Sequence, residues 1–201
     1  EIGSGLVGSE MCIRDRSYSK YFHASGGNAS YSVMANTLRG MYGTDVLIAT
    51  GNSFTGNVLK AGYTKKMAAS MIMPNDLQVY SRKMSGAELK ETVRSFVEGY
   101  QGGFIPFNRG SLPVASGISM EVREDKDGYT LIEITKNGKA IQDDDTFTVT
   151  CLAAAQYMEA FQTDKNIVFD GGDVQVTDDW INYVSDGDAI LAEPEDYITL
   201  R

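Results

Sequence analysis

The sequence predicts an α+β fold, in which a mixed β-sheet with antiparallel hairpins is flanked by helices. Three observations support this class. A strand pattern runs directly into a helix with a clear start signal at Met84–Val97. Two dipeptides typical of tight hairpin turns, Asp127-Gly128 and Asn137-Gly138, separate extended runs. Helical and extended patterns are interspersed along the chain, which favours one mixed sheet over separate helical and β domains.

The first elements follow a polar linker, residues 17–30. Within it, Asn28-Ala29-Ser30 fits a glycosylation sequon, which has meaning only in a eukaryotic secretory pathway. The elements predicted next are a helix over Tyr31–Met41 ended by Gly43, a strand over Val46–Ala49, a turn-rich loop over Thr50–Asn57, and a helix over Lys65–Met71 closed by Pro74.

The strongest local signal is the helix start after the predicted strand Leu77–Lys83. Ser85 is followed three residues later by Glu88, the spacing of a capping box, in which each side chain satisfies a backbone N–H of the first turn. The apolar residues then recur at helical spacing, at Ala87, Leu89, Val93, Phe96 and Val97.

The second half of the chain reads mainly as strands. Ile118, Met120 and Val122 alternate with polar residues, as in a half-buried strand. The elements predicted after them are strands over Tyr129–Lys136 and Thr146–Leu152, a helical stretch over Ala153–Phe161, a last helix from a Thr177 cap through Tyr183, and a closing strand over Tyr197–Leu200.

Composition excludes several classes of function. The 201 residues suit one domain, and the net charge of −9 argues against a nucleic-acid polymer as partner, because phosphate binding needs clustered Lys and Arg. No apolar run approaches 18 residues, so no membrane span is expected. Cys12 and Cys151 lie far apart and show no metal spacing, and Cys151 is expected to be a small core residue.

Residues 1–16 do not match the rest of the chain. They show neither helical nor strand periodicity, and they lack the basic start and the longer apolar stretch of a signal peptide. They resemble a peptide that recurs where adaptor sequence from short sequencing reads has been translated. We therefore expect residues 1–16 to be non-native or disordered, residues 31–201 to form the domain, and the chain to be a fragment of a longer protein.

From about Asn28 to Arg201, short motifs in order resemble the C-terminal domain of the 5′-nucleotidases. This family includes the bacterial UDP-sugar hydrolases and the 2′,3′-cyclic-nucleotide phosphodiesterases. The motifs are Val33–Gly43, Thr44–Ala49, Tyr63-Thr64, Ile72–Pro74, Ser85–Lys90, Ser116–Ile118, Asn137–Lys139 and Thr146–Val149.

The resemblance implies a division of labour between two domains. An N-terminal metallophosphoesterase domain, in cis, would hold two divalent metal ions that activate water, and the C-terminal domain would select the nucleotide. The single histidine, His23, lies in the linker, so this chain cannot supply the ligands of such a centre. The resemblance also implies an extracytoplasmic location: periplasmic, cell-surface or secreted.

In typical members a loop reading Asn-Gly-Gly-Gly-Ile-Arg and two aromatic rings hold the nucleotide. Here the loop is Thr50–Thr55, and its first and last positions carry threonine in place of asparagine and arginine. The aromatic positions fall on Asn75 and near Ala154, and the family's Gly-Gly-Asp-Gly motif falls near Tyr157. The substrate-binding residues carried over are Thr50, Asn52, Ser53, Thr55, Asn75 and Tyr157, with no catalytic or metal-ligating residue.

Two hypotheses follow. The first is the substrate-selecting domain of a divergent 5′-nucleotidase-type phosphohydrolase, inactive without its metal-bearing domain. The alternative is a non-catalytic binding or scaffolding module that kept the fold and lost nucleotide recognition. Phe54 is expected in the core or at the rim of the pocket, and Arg39 either approaches the pocket or lies in solvent at the helix end.

Overall fold

The computed structural model gives full bounds for two helices, a short 3-10 turn and nine strands, and residues 179–180 and 182–183 are also helical, within the predicted last helix. The described residues are 24–54, 70, 77–98, 112–126, 128–154, 167–171, 179–180, 182–183 and 192–201. The elements are α1 (Ala29–Tyr42), β1 (Val46–Ala49), the 3-10 turn (Gly51–Ser53), β2 (Leu77–Ser85), α2 (Gly86–Glu98), β3 (Val114–Ser116), β4 (Ser119–Asp125), β5 (Gly128–Lys136), β6 (Lys139–Ala140), β7 (Thr146–Ala154), β8 (Ile167–Gly171) and β9 (Ile198–Leu200).

The strands form two mixed sheets. One has five strands in the order β3-β1-β7-β2-β8, and the other has four in the order β6-β5-β4-β9. Within the first sheet β1 and β7 run parallel, and within the second β4 and β9 run parallel; the remaining pairs are antiparallel. The predicted α+β class with antiparallel hairpins is confirmed, whereas the division into two sheets was not predicted.

Helix α1 has a defined cap at each end. The Asn28 side-chain oxygen accepts a hydrogen bond from the Tyr31 amide at 3.1 Å, and Gly43 ends the helix in the left-handed conformation with φ 64°. Asn28 is only 5% exposed, so the asparagine of the sequon is enclosed by the protein.

The last part of the predicted linker packs against the final strand. The Gly26 amide donates to the Ile198 carbonyl at 2.8 Å, and the Leu200 amide donates to the Ala24 carbonyl at 2.6 Å. Gly27 has φ +82°, and a Cβ added there would lie 2.4 Å from the ring of Tyr197, so only glycine fits. Residues 1–16 lie outside the described residues, and their assignment stays a prediction.

Helix α2 begins with the predicted capping box. The Ser85 amide donates to the Glu88 carboxylate at 2.8 Å, and the Glu88 amide donates to the Ser85 hydroxyl at 3.2 Å. Leu89, Val93 and Val97 are fully buried along one face. This face contacts β5 of one sheet and β2 and β7 of the other, so α2 bridges the two sheets.

Both predicted hairpins are present, but the first turn lies one residue earlier than predicted, because Gly128 is the first residue of β5. Asn137 and Gly138 take φ values of 52° and 74°, as a tight two-residue turn requires. Asp125 pairs with Gly128 at the preceding turn. Strand β7 extends to Ala154, which pairs with Leu77, so the predicted helix over 153–161 is wrong for its first two residues, and its remaining residues lie outside the described part.

One hydrophobic cluster includes residues of both sheets and both helices. Cys151 lies in it, fully buried, and burial raises the pKa of its thiol; its predicted role as a small core residue is confirmed. Among the described residues no helix is long and apolar enough to cross a membrane.

Candidate functional site

The predicted site residues belong to three chain segments that adjoin one edge of the five-stranded sheet: the segment after β1, the segment after β7 and the segment before β2. At this edge the parallel strands β1 and β7 end and β2 begins, because Ala49 pairs with Leu152 and Leu77 pairs with Ala154. The loop after β1 therefore starts beside the chain that leaves β7 and the chain that enters β2. We call this the loop edge of the sheet.

The predicted site residues fall into two groups relative to the described structure. Thr50 and Ser53 are described in full at the loop edge. The side chain of Asn52, and the whole of Thr55, Asn75 and Tyr157, lie outside the described residues, so their role stays a prediction. In the sequence, Asn75 precedes the first residue of β2 by two positions, and Tyr157 follows the last residue of β7 by three. Both strand ends belong to the loop edge.

The two described hydroxyls point into the protein. Thr50 is 2% exposed and Ser53 is 1% exposed. Their oxygens lie 2.9 Å apart, and the Ser53 hydroxyl donates to the Leu152 carbonyl at 3.2 Å. The Thr50 amide also donates to the Leu152 carbonyl, at 3.1 Å. These contacts attach the start of the loop to the end of β7.

The last described residue of this loop segment, Phe54, packs against α1. Phe54 is 4% exposed, and its ring centroid lies 5.0 Å from that of Tyr31, with the planes tilted by 34°. Phe54 is thus a core residue, one of the two positions expected for it. Helix α1 leads into β1 from the opposite edge, so Tyr31, in the first turn of α1, lies at the loop edge. Burial raises the pKa of its phenol.

Tyr31 and the carbonyl of Leu152 contact the loop and were not predicted. Tyr31 is partly buried and lies 23 positions before Phe54 in the sequence, so no local pattern links the two residues. A backbone carbonyl leaves no trace in the sequence at all. Only the pairing of β1 with β7 reveals that Leu152 adjoins Thr50.

Arg39 lies away from the loop edge. It is near the carboxyl end of α1, where its Nε donates to the Ser116 hydroxyl at 2.7 Å. Ser116 is 1% exposed and pairs with Leu47 across β1 and β3. Arg39 therefore links α1 to β3. It was expected either to approach the pocket or to lie in solvent, and this position differs from both.

The described part of the site offers hydroxyls and aromatic rings, and no metal centre. Residues 50–54 include no ionisable side chain. In the described ranges, no group of three or more His, Cys, Asp or Glu side chains could hold a metal ion. Metal-assisted hydrolysis therefore has no ligand set among these described residues.

Comparison with known proteins gives a consistent result. Residues 16–158 match the family model described as the 5′-nucleotidase, C-terminal domain. No curated protein matches the chain. Among solved structures, NAD nucleotidase of Haemophilus influenzae aligns with a TM-score of 0.64 at 16% identity, over 88% of this chain and 33% of that one.

Two further structures align over similar lengths. A 5′-nucleotidase precursor from Thermus thermophilus has a TM-score of 0.63 at 12% identity, over 92% of this chain and 38% of that one. A candidate 5′-nucleotidase of Staphylococcus aureus, in complex with alpha-ketoglutarate, has a TM-score of 0.67 at 15% identity, over 94% and 41%. The chain thus spans less than half the length of each, and at these identities the likeness shows the fold alone.

Proposed function

Because this chain belongs to the family of 5′-nucleotidase C-terminal domains, we propose that it is the substrate-selecting domain of a divergent 5′-nucleotidase-type metallophosphohydrolase. The observation that carries this proposal is the family match over residues 16–158. It is supported by the loop edge, where β1 and β7 end together beside the start of β2. In this proposal a nucleotide or a related small molecule binds there through Asn52, Thr55, Asn75 and Tyr157, with Thr50 and Ser53 at the base of the loop.

Hydrolysis is assigned to a different domain of the parent protein. We expect an N-terminal metallophosphoesterase domain in cis, with two divalent metal ions that activate water and bind the phosphate. This chain would bind the substrate and hold it towards that centre, without activity of its own. The family resemblance also favours a periplasmic, cell-surface or secreted parent.

The second candidate is a binding or scaffolding module without catalysis. One observation favours it: the hydroxyls of Thr50 and Ser53 bond each other and the Leu152 carbonyl, so the described polar side chains of the loop are satisfied inside the protein. The loop also carries Thr55 in place of the family's arginine, which removes a permanent charge suited to phosphate.

A thermal-shift titration of the full chain with adenosine, AMP, UMP and UDP-glucose separates the two candidates. A ligand at about 100 times its dissociation constant adds roughly 2.7 kcal/mol of stability, which raises the midpoint by several degrees. We expect a shift with at least one nucleotide, reduced in Asn52→Ala and unchanged in Lys139→Ala, an exposed residue of β6. No shift with any of the four would refute nucleotide selection and favour the module.

A further inference from the structure

The start of the loop is held by a single backbone carbonyl at the end of β7. The Leu152 carbonyl accepts from the Thr50 amide at 3.1 Å and from the Ser53 hydroxyl at 3.2 Å. A carbonyl oxygen has two lone pairs, so with these two donors it accepts as many hydrogen bonds as it can. The hydrogen bond from the Thr50 amide extends the parallel ladder of β1 and β7 by one residue. The hydrogen bond from the Ser53 hydroxyl attaches the 3-10 turn to β7.

The direction of the remaining hydrogen bond follows from the chemistry of hydroxyl groups. A serine hydroxyl has one proton, and that of Ser53 is directed to the Leu152 carbonyl. The 2.9 Å contact between the two hydroxyls therefore has Thr50 as donor and Ser53 as acceptor. The result is a chain of two bonds, from Thr50 to Ser53 to Leu152, which we call the hydroxyl clasp.

Burial makes the clasp sensitive to substitution. Both side chains are almost completely enclosed, so water cannot replace a hydrogen bond that is lost. At Phe54, the last described residue of this segment, the ring packs against that of Tyr31 with centroids 5.0 Å apart. The five residues from Thr50 to Phe54 are thus fixed at both ends, to β7 and to α1.

We propose that Thr50 and Ser53 are positioning residues of the site, whose hydroxyls hold the loop after β1 against the end of β7. They act through the backbone of the loop and do not contact the ligand. This inference rests on the proposed function, because it concerns the same site. A loop that is already ordered loses less conformational entropy on binding, so the clasp is expected to strengthen affinity without adding a contact.

The test compares three variants of the full chain. Thr50→Val keeps the shape of the side chain and removes the hydroxyl, whereas Thr50→Ser keeps the hydroxyl. Ser81→Ala is the matched control, because it removes another buried hydroxyl pair of the same sheet, the one that Ser81 forms with Thr150 on β7 at 2.5 Å. Both pairs join a buried threonine to a buried serine, but only one holds the loop.

Two readouts are measured on each variant. The first is hydrogen exchange at the Ser53 amide, which donates to the Thr50 carbonyl at 2.9 Å. We expect exchange about tenfold faster in Thr50→Val, and rates near wild type in Thr50→Ser and Ser81→Ala. The second is the dissociation constant for whichever of adenosine, AMP, UMP and UDP-glucose binds the wild type. We expect it to rise about fivefold in Thr50→Val alone, which corresponds to the loss of one net hydrogen bond of about 1 kcal/mol.

The outcomes are distinguishable. Unchanged Ser53 exchange in Thr50→Val would overturn the clasp, and faster exchange with unchanged affinity would overturn its role in positioning the site. An equal loss of affinity in Ser81→Ala would also overturn it, since general destabilisation would then explain both effects. If the wild type binds none of adenosine, AMP, UMP and UDP-glucose, the proposed function fails and the positioning role fails with it, and this is recognised from the wild type alone.

Discussion

Replacing Gly86 with alanine sets two opposing effects against each other. Alanine is favoured over glycine within helices by about 1 kcal/mol, so propensity predicts a more stable protein. However, a Cβ at Gly86 would lie 1.8 Å from the backbone oxygen of Gln142. A carbon and an oxygen ordinarily approach to roughly 3.3 Å, so one of the two segments must move by about 1.5 Å.

This movement would strain the contacts that fix the start of α2. The Gly86 amide donates to the Asp145 carbonyl at 2.8 Å, and the Ala87 amide donates to the Asp143 carbonyl at 3.2 Å. Overpacking costs about 1–3 kcal/mol, and each weakened hydrogen bond adds up to about 1 kcal/mol. We expect both hydrogen bonds to be weakened in full, so that after subtraction of the gain in propensity the free energy of unfolding falls by about 2–4 kcal/mol.

Urea denaturation and thermal melting of Gly86→Ala would measure this change, with a midpoint lowered by roughly 6–12 °C. The matched control is Gly40→Ala, because Gly40 also lies in a helix and a Cβ there would meet nothing within 4 Å. We expect the control to stabilise the protein by up to about 1 kcal/mol. If both variants were stabilised, the close approach of α2 to Gln142 would be refuted.

Four further predictions concern local features. Ser85→Ala should lower the free energy of unfolding by about 1 kcal/mol in urea, since it removes the cap of α2, whereas Ser85→Thr should retain most of it; equal losses would contradict the cap. Hydrogen bonds from Thr148, the backbone one foremost, lower the pKa of Asp45, so its contribution to stability is present above the unfolded-state pKa and is lost as the pH falls through the lower folded-state pKa. Asp45→Asn should therefore show a flatter decline of the urea midpoint below about pH 4, and a decline as steep as that of the wild type would count against this account. Burial raises the pKa of Cys151, so in a Cys12→Ser background a thiol reagent should react only as the protein unfolds, and rapid labelling without denaturant would contradict its burial. The purified full chain should release no phosphate from AMP or UDP-glucose with Mg²⁺, Mn²⁺ or Zn²⁺; release that persists through repurification would overturn the assignment of hydrolysis to another domain.

Features of the fold that depend on neighbouring residues could be predicted from the sequence. The capping box of Ser85 and Glu88 and the turn at Asn137-Gly138 use side chains within three positions of each other, and both are confirmed. The pairing of β1 with the distant β7 depends on no local pattern. For the same reason the division of the strands into two sheets was not predicted.

The site was less predictable, because the same residue types suit opposite roles. Thr50 and Ser53 were predicted to bind a ligand because the resemblance places them in the family's nucleotide loop, and hydroxyls can serve as donors and acceptors there. A hydroxyl can equally satisfy a backbone carbonyl, and which role it takes depends on the position of Leu152, about a hundred residues later. Resemblance to a family located the loop but could not indicate the direction of its side chains.

The pairing of residues 24–26 with β9 also determines how the fold would respond to mechanical force. The two segments are antiparallel, so Ala24 and Arg201 lie at the same end of this pairing. A force applied between these two residues would act first on the hydrogen bond from the Leu200 amide to the Ala24 carbonyl. It would act next on the hydrogen bond from the Gly26 amide to the Ile198 carbonyl, so the two would break in sequence. The two ends would therefore separate at low force, one hydrogen bond at a time, before the tightly packed contact of Gly27 with Tyr197 resisted.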